Sequence, residues 1–558
     1  MKIPALVLIS QLLLPAAYAQ QHQHEVKPSD QALLIPGVGN VSHRVSTSNP
    51  EAQRFFGQGL ALSYAFNHEE ASRSFKRAAD IDPKLAMAYW GIALVSGPNY
   101  NMDVDPDREK AAYEAVQKAL SLVGGASEPE RDYINALARR YSIEPGADLK
   151  KLAVDYKNAM AAVVQKYPDD LDAATLYAES MMNLRPWQLW DANGNPAEGT
   201  LEIIRVLQSV LKRDPNHTGA NHFLIHAVEA SPHPEQALES ARRLAGLAPA
   251  AGHLVHMPAH IYIRVGDYEA AAQSNRDAAA VDEAYIKTGV QGIYPMMYYS
   301  HNLHFLAVAA GMQGRFAEAL WAAQGLEANV GPHLKDMPML DSFMCTSTLI
   351  RVWFRRWDTV LSLPEPDKTI APMTNTIWHF ARGMAFAAPS QAGAVIDPKD
   401  PSIGARKAES ELAAVRQGQQ STPLEAAWGN NRGRHVLKVA ETMLASNVAA
   451  AKGDRNSAID LLKQAVKLED ALIYSEPPDW YLHPRLALGG LFLSIGDYAA
   501  AESVFKEDLE RHPQSGRALF GLFRSLKALG KKSEADAVYK EYEAAWKKSD
   551  TMLRIEDL

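Results

Sequence analysis

Two histidine pairs, His222/His226 and His256/His260, are separated from each other by 34 residues. Within each pair the spacing is four, so both rings share one face of a helix. A fixed interval of a few tens of residues marks an architecture of stacked repeats. The same two positions therefore carry histidine in consecutive copies of one structural unit, a recurrence that an isolated core histidine does not explain.

The chain's beginning reads as a secretory signal. Lys2 supplies the positive start, Ile3 to Leu14 is largely apolar, and Ala17-Tyr18-Ala19 is a small-x-small cleavage site. Cleavage after Ala19 predicts a periplasmic or secreted protein that begins at Gln20, without stable membrane insertion. The apolar stretch is too short for an anchor, and no later run reaches about 18 apolar residues. Cys345 is the single cysteine, so packing has to supply the stability. A formal net charge of -8 excludes nonspecific nucleic-acid binding as a function class.

Repeat punctuation recurs along the chain. Residues 51–83 hold Phe55, Gly59, Ala71, Phe75, Ala78 and Pro83 at regular offsets. The turns Gly266-Asp267-Tyr268, Gly314-Arg315-Phe316 and Gly496-Asp497-Tyr498 each precede an alanine-rich helical start. This pattern resembles the tetratricopeptide repeat (TPR) superfamily across most of residues 51–545. Units start near 52, 218, 252, 300, 341, 439, 482 and 516, with degenerate helical stretches at 86–217 and 375–438. The resemblance implies an all-α, right-handed solenoid of helix pairs. Its first helices line a concave groove through positions 2, 5, 9, 12 and 13. A lead-in (20–50) is expected to be extended or partly disordered, and 546–558 forms a tail. Insertions stand out at Gly97–Asp107, Asn183–Gly199 and Tyr285–Tyr299. Pro389–Gly404 and Gln417–Pro423 read as loops, and no strand is expected.

In that frame His222, His226, His253, His256, His260, His301 and His304 all occupy groove-facing positions of the three units 218–335. Imidazoles from helices packed roughly 8–10 Å apart can meet at one ion. Histidine-dominated ligation suits copper, iron or zinc and disfavours calcium and magnesium. Seven histidines exceed one tetrahedral ion, so either two ions bind or some rings only orient others. Glu229, at position 12, is a candidate ligand, orienting group or general base, and Tyr299 is a second candidate catalytic residue. Cys345 continues the position-5 row. The zinc-protease signature is excluded because Phe223, not glutamate, follows His222. Glu476-Pro477-Pro478-Asp479-Trp480 is a rigid segment read mainly as a linker.

The motifs His256-Met257-Pro258-Ala259-His260 and His301-Asn302-Leu303-His304 resemble those of exported bacterial TPR proteins, from which no activity carries over. The expectation is a mono- or dinuclear centre, open to the groove, in a metal-dependent enzyme acting on a small molecule. Copper or iron oxidoreduction is favoured slightly over zinc hydrolysis. The alternatives are a peptide-binding scaffold with a structural ion, and a metal-delivery protein.

Overall fold

The computed structural model describes residues 32–290, 292–388 and 402–558. The expected signal segment, the lead-in before residue 32 and most of the loop expected at Pro389–Gly404 lie outside them. The architecture is all-α, built of helix pairs stacked in chain order.

The repeats pack as their small residues dictate. Phe75 is fully buried between Gly59 and Gly91, where a Cβ would stand 2.7 and 2.4 Å from its ring. Phe505 lies in the same way between Gly489 and Gly521, at 2.5 and 2.2 Å. Any side chain at these glycines would push two helices apart. The expected units at 52, 218, 439, 482 and 516 are regular pairs, such as Pro50–Tyr64 with His68–Ile81 and Thr218–Val228 with Leu238–Leu247.

Several details depart from expectation. The unit at 252 has a broken first helix, Gly252–His256 and Pro258–Arg264, because Pro258 has no N–H to donate. The insertion Tyr285–Tyr299 is largely helical, lengthening its flanks to Ile286 and from Ile293. Gln417–Ser421 is helical too, ending the helix Ser402–Ser421. A small hairpin pairs Ala427–Trp428 with Asn431–Arg432 around Gly429, whose φ is +55°. Gly429-Asn430 is the turn chemistry that permits it. The described part of the lead-in is held down, with the Ile35 N–H donating to Gln58 and the Ser46 N–H to Glu130.

The groove is filled rather than open. The Tyr268 hydroxyl donates to the Pro513 carbonyl, and Arg517 donates to the Gly311 carbonyl, so the C-terminal repeats pack back on the middle ones. Tyr100 and Trp187, from the segments 97–105 and 183–199, pack on His226, and Tyr481, from the segment 473–483, packs on His304. Among the described residues no helix is long and apolar enough to cross a membrane.

Candidate metal centre

Six of the seven histidines form two triads. In the first, His222 and His226 come from the helix Thr218–Val228 and His253 from Gly252–His256. In the second, His256 and His260 flank the Pro258 break and His301 comes from the helix Ile293–Met312. One ligand nitrogen from each member lies within 4.8 Å of the others in its triad. The triads adjoin, since His226–His260 and His253–His256 ring centroids are 5.7 and 5.9 Å apart.

The outer nitrogens of four rings are anchored, whereas His253 Nδ1 is buried without a partner. His222 Nδ1 donates to the Tyr64 carbonyl at 2.7 Å. His256 Nδ1 donates to Asn275 Oδ1 at 2.7 Å, and the Asn275 amide is oriented by donating to the Ala271 carbonyl at 2.8 Å. Glu229 serves both triads, accepting from His226 Nδ1 at 2.8 Å and, through its other oxygen, from His260 Nδ1. Burial would raise the Glu229 carboxyl, but His260 and His226 hold it down at about 2. It is an ionised acceptor for two donors.

Each anchor fixes a tautomer. With the proton on Nδ1, Nε2 of His222, His226, His256 and His260 presents a lone pair inward. His256 Nε2 and His260 Nε2 face each other at 2.8 Å with no proton to share. His301 Nε2 lies 3.1 Å from His256 Nε2, and His253 Nε2 3.2 Å from His222 Nε2. His226 Nε2 is buried without a partner. Burial lowers the pKa of His222, His253, His256 and His301 well below that of an ordinary imidazole, with neighbouring rings adding to the effect, so protons are poor relief. A metal ion fits instead. Nitrogens about 2.0–2.1 Å from one ion stand roughly 3.3–3.6 Å apart, close to the spacings found. Tying the far nitrogen to a carboxylate, amide or carbonyl is how ligating histidines are oriented.

The triads have different surroundings. Phe66 stacks on His226 and His253 at 5.8 and 5.6 Å, Tyr100 lies 5.0 Å and Trp187 5.9 Å from His226, and Tyr298 lies 4.8 Å from His253. The second triad meets one phenylalanine, Phe305, and its His301 is the one member of the six not fully buried. Near it lies Glu476, buried, with Oε1 accepting from the Tyr474 hydroxyl at 2.8 Å and Oε2 without a partner. Burial pushes the Glu476 carboxyl up to about 7 against the pull of His260 and Arg264. Arg264 ties this segment to the triads, donating to the Glu229 carbonyl and covering the Tyr474 ring at 5.3 Å.

Three sequence candidates lie elsewhere. His304 is one turn past His301, in neither triad, and its ring packs on Phe343 and Tyr481 at 5.5 and 6.2 Å. Tyr299 points away, its hydroxyl donating to Glu283 at 3.0 Å; the neighbouring Tyr298 is the residue that meets a triad. Cys345 is fully buried and donates to the Ser342 carbonyl at 3.2 Å. The open groove is also corrected, since five of the six rings are buried. Asn275, the Tyr64 carbonyl, Phe66 and Arg264 carry no sequence signal for the site. Trp187, Tyr100 and Glu476 do, being set in the two insertions and the rigid segment.

No family model matches this chain, and no curated protein does. Solved structures similar to it include Naa15/Naa10 bound to HypK-THB (13% identity, 90% of each chain, TM-score 0.24). The human IFIT1 dimer with m7Gppp-AAAA matches at 14% identity over 89% of this chain and 91% of that one, TM-score 0.29. The APC/C hetero-tetramer Cut9-Hcn1 matches at 12% identity over 92% and 77%, TM-score 0.29. The all-α reading stands on the helix pairs themselves, and likeness of this degree adds nothing about the site.

Proposed function

We propose that this chain is an exported metalloprotein that holds two transition-metal ions side by side, one per histidine triad, and acts as an oxidoreductase on a small molecule. The observation that carries the reading is the opposed lone pairs of His256 and His260 at 2.8 Å, with both far nitrogens already committed as donors. A buried polar atom without a partner is costly, and a cation in each triad relieves both this contact and the orphaned His226 Nε2. Imidazole donors suit copper, iron and zinc. When bound, copper or iron would supply one-electron chemistry.

The chain's own residues divide the remaining work. Glu229 holds His226 and His260 in one tautomer and neutralises part of the added charge. Phe66, Tyr100 and Trp187 exclude water from the first triad. Glu476 Oε2 is available to hold or release a proton beside the second. The burial of the first triad favours a structural ion there as a second reading, because structural sites close around their ion.

The test is to purify the chain natively, measure bound metal by mass spectrometry, and follow dioxygen uptake with ascorbate as reductant. Two equivalents of copper or iron with uptake support the reading. Two equivalents without uptake leave the structural reading. No metal in native or reconstituted protein ends both.

A further inference from the structure

The two triads differ in charge and in cover, and the difference selects the ion. One carboxylate, Glu229, is hydrogen-bonded to both triads, whereas the second carboxyl, Glu476, lies beside the second. The charge cost of burying an ion rises steeply with its charge. Around the first triad, Phe66, Phe223, Tyr100, Trp187 and Tyr298 present rings. Zinc completes four-coordination and would need a further donor there. Three neutral imidazoles in an apolar cage suit a monovalent ion content with three ligands.

The cage is also held by unusual backbone. Phe66 and Trp187 have φ of +54° and +59°, a region that bulky residues rarely adopt. Both rings are thereby placed against His226. Such positions persist where the surroundings over-determine them, and they cluster at functional sites. Of the rings packed on the first triad, Phe66, Phe223, Tyr100 and Tyr298 are buried, and only Trp187 reaches solvent.

We propose that the first triad is a three-coordinate copper(I) site kept from solvent by Trp187, while the second takes a divalent ion. This rests on the paired-ion reading above. The test loads metal-free protein anaerobically with copper(I) under ascorbate, with zinc(II) in tenfold excess, and then adds bathocuproine disulfonate. The expected result is one equivalent of copper(I) that zinc does not displace and that leaves slowly. Trp187→Ala should speed its release at least tenfold, with Trp187→Phe within threefold of the parent and His226→Ala abolishing the slow phase. Tyr100→Leu, which opens the same wall, serves if Trp187→Ala does not fold. A slow phase unchanged in the folded opening variant, or copper lost in one fast phase from the parent, overturns this inference alone. Failure to hold any metal overturns the paired-ion reading with it.

Discussion

The two triads are built from the same ligand type on the same repeated face, yet their surroundings separate them. The first draws its histidines from one side of the Pro258 break and lies behind Phe66, Tyr100, Trp187 and Tyr298. The second straddles the Pro258 break, meets among the described residues only Phe305 as a ring from outside the six histidines, and has the partly exposed His301 and the free Glu476 oxygen at hand. A solenoid can repeat its ligands by sequence, but it differentiates copies by what its insertions and distant repeats lay over them.

The largest effect is expected from Glu229, the one residue common to both. Glu229→Ala strands the buried Nδ1 donors of His226 and His260, each costing about 1–3 kcal/mol, and should reduce the affinity of both ions, measurable by metal stoichiometry after dialysis. Loss of only one ion would show that the triads do not share their carboxylate. Next come His222→Ala and His256→Ala. Each should remove one equivalent and leave the other; loss of both from either variant would mean one coupled centre rather than two.

Asn275→Leu reaches only the second triad, through His256 Nδ1. Orienting partners of this kind are worth about 10–100-fold in metal affinity, so competition titrations should show weakening of one ion and not the other. A smaller, graded effect is expected with pH. Metal-free His222, His253, His256 and His301 have pKa values well below 6.5, so the unfolded chain takes up protons that the folded chain refuses. Their contribution is full above 6.5 and is lost as pH falls below it. Glu476, Asp282, Glu327 and Asp479, each raised to about 7, and the raised His43 and His483 act with the opposite sign, but His68, His226, His304 and His512 are lowered too, which sets eight histidines against six groups. The Tm of metal-free protein should therefore fall from pH 7 to pH 5, and metal should flatten that slope. The smallest effect belongs to Tyr299→Phe, which loses one contact with Glu283 away from both triads. A change in metal content there would bring Tyr299 back into the site.

The repeat and its inward histidines were legible because they are local. A 34-residue interval with spacings of three and four places His222, His226, His253, His256, His260 and His301 on inward faces whatever the superhelix does. The same logic grouped His304 with them, although it lies in neither triad, because a frame assigned by repeat position assumes regular helices of equal length. Here the helix begins at Ile293 and runs to Met312, longer than its neighbours, so His304 packs on Phe343 and Tyr481. Tyr299 lies outside both triads because successive residues of the helix Ile293–Met312 diverge by about 100°, so Tyr298 meets His253 while Tyr299 turns to Glu283.

What the sequence by itself determined is the all-α repeat of helix pairs and the rows of histidines, since these depend on contacts within one or two units. Tertiary structure alone decided the division into two triads, the sharing of Glu229 and the sealing of the groove. Asn275 lies 19 residues from His256, the Tyr64 carbonyl 158 from His222, and Glu229 31 from His260. No periodicity encodes a carbonyl contributed by one helix end to a ring on another. That pairing arises when the superhelix closes and every buried donor must find its acceptor.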